Sequence, residues 1–99
     1  MLKDDVKLAL RIKNTAYDNE INDIIDACKS ELRLIGIIND KLEEKGQEGI
    51  DSLVKRAIIL YAKANFGLDN ADSERYQKAY DALKIHLALS QEYTNEVVS

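Results

Sequence analysis

The chain has 99 residues, of which 45% are apolar and 32% charged, and this balance suits one folded domain (1–99) rather than a disordered segment. Its net charge of −4 is the wrong sign for a protein whose main partner is nucleic acid, and no apolar run approaches the ~18–20 residues that cross a bilayer. The single cysteine excludes an internal disulfide and fits a reducing compartment, while Asp4 and Asp5 stand where an export signal would be positive.

No proline interrupts the chain, and its glycines are Gly36, Gly46, Gly49 and Gly67. The spacing of apolar residues between these breaks predicts an all-α fold, a small bundle of about four helices. The first helix spans about 2–12 with Leu2, Val6, Ala9 and Leu10 on one face, and an Asn14-Thr15 turn follows it. Asp18 is the expected N-cap of the second helix, since a carboxylate there can accept the orphan N–H groups of the first turn. Ile21, Ile24, Ile25, Cys28, Leu32 and Ile35 recur at steps of three and four, so they share one stripe. Gly36 then supplies the left-handed position that ends many helices, with Ile37 folding back onto the last turn.

Residues 39–49, NDKLEEKGQEG, hold six charged residues and two glycines beside one large aliphatic, Leu42. They read as a solvated, flexible charged loop between the second and third helices, with room for a helical turn near 41–45. The third helix starts at Asp51 or Ser52 and runs to about Asn65. Its Leu53, Val54, Ala57, Ile58, Ile59, Leu60, Tyr61 and Ala64 cover most of the circumference, which places it mid-bundle or at a subunit interface. Gly67 stops it. Asn70 is the expected cap of the fourth helix, whose buried stripe is Tyr76, Ala79, Tyr80, Leu83 and Leu87, with Glu74 and Lys78 as an i,i+4 pair. Residues 91–99 read as a frayed tail.

No constellation in the sequence carries catalysis, and neither a metal nor a cofactor is expected. His86 is the lone histidine and lacks the partners a metal needs. Cys28 lies mid-helix on an apolar stripe, where a thiol behaves as a small hydrophobe. Glu20, Asp23 and Asp26 form an acidic row on the second helix, which suits a solvated face better than an acid–base pair. Tyr61, Tyr76, Tyr80 and Phe66 sit among aliphatics and are assigned to packing rather than base stacking. Lys55, Arg56 and Lys63 form the one basic cluster, on the polar side of the third helix. One helix is thus acidic and another basic, and these six charged residues are the expected subunit or partner contacts.

Three segments carry a family resemblance: DNEINDIIDACKSELRLIGI (18–37), LVKRAIILYAKANF (53–66) and DNADSERYQKAYDALKIHLALS (69–90). Together they resemble the small helical head–tail connector proteins of tailed phages and prophages, the adaptor or head-completion subunits. The likeness covers about four-fifths of the chain and skips the charged loop. It implies a structural virion assembly protein that forms a homo-oligomeric ring under the portal and contacts the portal protein and the next connector or tail protein. DNA would pass through such a ring without specific binding, and no membrane is involved. The implied location is the head–tail junction of the virion, or the bacterial cytoplasm when a prophage expresses the protein. The residues alone leave two other readings open: a small helical interaction module, regulatory or antitoxin-like, working as a dimer, and an enzyme using the carboxylates of the second helix.

Overall fold

The periodic segments fold into four helices, and among the described residues three short helical turns accompany them. The computed structural model describes residues 2–67 and 71–95. In order these form α1 (Leu2–Ala9), α2 (Asp18–Leu34), α3 (Asn39–Leu42), a 3-10 turn at Gly46–Glu48, α4 (Ser52–Asn65), α5 (Ser73–Leu89) and α6 (Gln91–Thr94). No β-strand occurs among the described residues, so the fold is the expected small all-α bundle. Asn70, the expected cap of the fourth helix, and residues 96–99 of the tail lie outside the described residues; the N-cap position observed for α5 is Asp72.

α4 is the centre of the bundle and packs against α1, α2 and α5. Val54, Ala57, Ile58 and Ala62 are buried on its inner side. The stripe of α2 meets them with Ile21, Ile25, Cys28 and Leu32, and α1 adds Leu2 and Val6. Each large aliphatic side chain removed from water in this way contributes about 1.5–3 kcal/mol. The molecule measures 44 × 30 × 17 Å, and its short dimension leaves room for about two helix layers. Neighbours therefore do not wrap α4 on every side, and Leu53, Ile59 and Leu60 face outward or lie half-buried.

The helix ends follow local chemistry, with two corrections. Asp51 caps α4: its Oδ2 accepts from the backbone N–H of Leu53 at 3.1 Å and of Val54 at 3.2 Å. Gly36, at φ +100°, closes α2 with its N–H on Arg33 and that of Ile37 on Leu32, the paired bonds of a Schellman stop. Asp18, by contrast, is not the N-cap of α2. It is the first helical residue, and its carboxylate reaches across to α1, where Lys7 Nζ lies at 2.7 Å and Lys3 Nζ at 3.4 Å. α1 also stops at Ala9, short of the expected residue 12.

The charged segment 39–49 is anchored rather than simply solvated. Leu42 is buried, Glu44 Oε1 accepts from the backbone N–H of Leu2 at 2.8 Å, and Lys45 and Gly49 form an isolated antiparallel bridge. The start of the expected frayed tail is ordered as α6, where Tyr93 is buried in the core. On α5 the buried stripe is narrower than expected. Tyr80 and Leu87 are buried, Tyr76 and Leu83 are half-buried, and Ala79 is exposed.

Candidate assembly surfaces

The exposed faces of two helices, α2 and α4, carry charge of opposite sign, and part of that charge is used within the chain. On α2, two of the five acids between residues 18 and 33 are used internally. Asp18 is held by Lys7 and Lys3. Hydrogen bonding from Lys7 keeps its carboxyl below the usual carboxylate range, against a partial desolvation that pushes the other way. Glu31 takes the Tyr80 hydroxyl at 3.1 Å and faces Lys84 Nζ at 3.7 Å. Glu20, Asp23 and Asp26 are exposed and have no ion pair or hydrogen bond among the described residues. Successive residues turn about 100° on a helix, so Asp23, Ser30 and Leu34 fall opposite the buried Ile21–Ile25–Cys28–Leu32 stripe. Leu34 is 87% exposed at the end of this acidic face.

On α4 the three expected cations have different fates. Lys55 reaches α1 and pairs with Asp5 Oδ2 at 3.2 Å. Lys63 lies over the Tyr76 ring with Nζ 5.2 Å from its centroid, and Arg75 lies at the same distance from that ring. Tyr76 is thus covered by cations rather than packed in the core, a correction to the sequence expectation. Arg56 is exposed and has no partner among the described residues. Leu53, Ile59 and Leu60 lie beside these cations on α4, and together they line a groove of about 480 Å³. The structure therefore places Arg56 and Lys63 on one face with aliphatic side chains between them, and turns Lys55 toward α1.

The residues set aside for chemistry are buried or unaccompanied. Cys28 is buried, with Sγ donating to Tyr80 Oη at 3.7 Å, and burial pushes its thiol up to about 12. A thiolate nucleophile is not populated at such a value near neutrality. His86 is exposed on α5. Among the described residues no group of three or more His, Cys, Asp and Glu is placed to hold a metal ion. A polar hollow of about 300 Å³ lies beside the 3-10 turn, but lysines Lys41 and Lys45 intrude among its carboxylates Asp40, Glu43, Glu48 and Asp51. Of the aromatic residues, Tyr80 fills the core with Tyr61 edge-on at 5.1 Å, and Phe66 meets Tyr17 edge-on at 5.5 Å.

Sequence reasoning found the apolar side of α4 but missed the exposed apolar residues of α2 and α5. Leu34 closes the acidic face of α2, and Ile85 and Leu89 stand exposed on α5, 59% and 81% accessible. A signal was available for the pair on α5. Ile85 and Leu89 are spaced i,i+4 and fall outside the Tyr80–Leu83–Leu87 line, so they belong to another face.

Against known protein families, residues 1–94 match the family described as phage connector protein. No curated protein and no solved structure matches the chain.

Proposed function

The chain belongs to the phage connector protein family, a family of structural phage proteins, and from that premise we propose that it is a head–tail adaptor. In this reading its subunits form a homo-oligomeric ring under the portal, extend the DNA channel, and present a platform to the next connector or to the tail. It acts at the head–tail junction of the virion, and in the host cytoplasm before assembly. The family match across residues 1–94 is the observation that carries the reading. Two features of the molecule support it. A ring of identical subunits needs two different, complementary faces on each subunit, and α2 and α4 expose faces of opposite charge. The net charge of −4 also suits a channel wall that must let DNA slide, because tight phosphate binding needs clustered Lys and Arg. The reading assigns no reaction to the chain and calls for no cofactor.

Sedimentation and electron microscopy of the purified chain, alone and with the cognate portal protein, test the proposal. The expected result is monomer or weak association when dilute, and closed rings at high concentration or on the portal. A tight dimer that salt does not disturb, unchanged by portal protein, would instead support a dimeric interaction module.

A further inference from the structure

We infer that α1 is exchanged between copies on assembly, the helix of one subunit leaving its own body and docking in the α1 site of the next. The inference rests on the connector reading and specifies how its subunits would join. Four observations carry it. First, α1 is held by groups that another copy supplies identically. Leu2 and Val6 enter the core, Lys7 meets Asp18 at 2.7 Å, Lys55 meets Asp5 at 3.2 Å, and Glu44 takes the N–H of Leu2 at 2.8 Å. Every backbone–backbone hydrogen bond of residues 2–17 is local and reaches no further than Ile21, so none has to break between α1 and the body. Second, the site must be filled by one α1 or another. An empty site would expose the core beneath Leu2 and Val6 and strip Asp18 of both its lysines, Lys3 and Lys7. Third, the chain folds back onto its own body through strain. Arg11, in the linker between α1 and α2, is the only non-glycine residue at positive φ among the described residues, at +60°. Opening the linker relieves that turn, and a short strained hinge is what favours exchange over self-docking. The linker's Leu10 and Ile12 border the core rather than fill it. Fourth, the reach suffices. The eight residues 10–17 span about 26 Å when extended, more than the 17 Å thickness of the molecule. Each copy then gives one helix and receives one, a head-to-tail contact that propagates until it closes.

Cross-linking reads the exchange directly. The full chain carrying both Asp5→Cys and Lys55→Cys is treated with a short bis-maleimide and run on a denaturing gel. Both positions are partly exposed and lie on opposite sides of the α1 contact, whereas Cys28 is buried; the wild-type chain is the control for that thiol. Far-ultraviolet circular dichroism checks that the variant keeps its helices. In dilute solution the link should close within one chain and leave a monomer band. In assemblies formed at high concentration or on portal protein, the same link should join different chains and give a ladder beyond the dimer. Arg11→Gly removes the strain of the self-docked form and leaves the α1 contacts intact. It should raise the concentration at which the ladder appears by about 10-fold. Assemblies whose links stay within single chains would overturn the exchange and keep the connector role. A dimer band with nothing above it would replace head-to-tail exchange by a reciprocal pair and overturn the inference as stated. Unchanged ladder formation in Arg11→Gly would remove the hinge from the account. Wild-type chain that stays monomeric at every concentration, with and without portal, would remove both the exchange and the connector reading.

Discussion

Tyr93 donates its hydroxyl to Asp51, the residue that caps α4, with the two carboxylate oxygens 2.9 and 3.1 Å away. The bond ties the last helical turn to the start of the central helix, 42 residues earlier. Lys41 completes the joint, with Nζ 3.3 Å from Glu92 and 5.0 Å from the centre of the Tyr93 ring. α6 is thus part of the bundle because it satisfies charges on α3 and at the α4 cap. Tyr93→Phe keeps the buried ring and removes the bond to a carboxylate, so it should cost about 1–2 kcal/mol in urea unfolding. A change below ~0.5 kcal/mol would mean that α6 docks through its ring alone.

The same residue sets an alkaline limit. Burial first, and then the Asp51 carboxylate, push the Tyr93 phenol up to about 12 from its ordinary value near 10. A group whose folded value is raised contributes stability in full below its unfolded value and loses it as pH climbs through the folded one. The Tyr93 contribution should therefore fade between about pH 10 and pH 12. Tyr93→Phe should flatten part of the stability loss over that window, leaving the part due to Tyr61 and Tyr80, which burial also raises. An identical alkaline slope in the two proteins would contradict the assignment.

Along α5 the packing ranks two leucines that the sequence treats alike. Leu87 is 2% exposed, whereas Leu83 only borders the core. Leu87→Ala should cost ~2–5 kcal/mol, the range for emptying a filled core site. Leu83→Ala should cost clearly less, since water already reaches part of that side chain. Equal losses, or a larger loss at Leu83, would show that the helix is rotated from the face described.

Much of this fold can be read from local chemistry. The α2 stripe, the Asp51 cap and the Gly36 stop each depend on residues within a few positions of one another, and each appears where the spacing puts it. What the sequence conceals depends on distant partners. Glu44 looks like a loop carboxylate until it accepts the N–H of Leu2, and Tyr93 looks like tail until Asp51 is placed beneath it. The acidic helix shows the same division for function. Its five acids are plain in the sequence, but Lys7 and Lys84 decide that Asp18 and Glu31 turn inward and leave three acids outside.

The buried Cys28 gives a probe of native-state opening. Its thiol donates to Tyr80 Oη and is held protonated by burial, so a thiol reagent should label it slowly in the folded protein and fast in denaturant. Labelling at native pH should track global unfolding, because Tyr80 and Leu32 in the same core are fully buried. Rapid labelling under native conditions would mean that α2 and α5 separate without unfolding the bundle.

The ends of α1 and α2 use one geometry with different residues. At Gly36 the left-handed turn costs little, because no Cβ is present. At Arg11, φ is +60°, yet the bonds repeat the same pattern: Arg11 N–H to Leu8 and Ile12 N–H to Lys7, at 3.0 and 2.9 Å. An L-residue pays roughly 1–2 kcal/mol to sit there, so α1 ends at a strained turn that no glycine marks in the sequence. The two sites should respond in opposite directions. Gly36→Ala meets no atom within 4 Å, so its cost is conformational, about 1 kcal/mol or somewhat more. Arg11→Gly relieves the same strain but gives the unfolded chain more freedom, worth about 0.4–1 kcal/mol in the other direction. The net effect at Arg11 should be neutral to stabilising by up to ~1.5 kcal/mol, read as a rise in the urea midpoint without a change in slope. A clear loss of stability in Arg11→Gly would show that the arginine side chain holds the α1 end by a contact that outweighs its backbone strain.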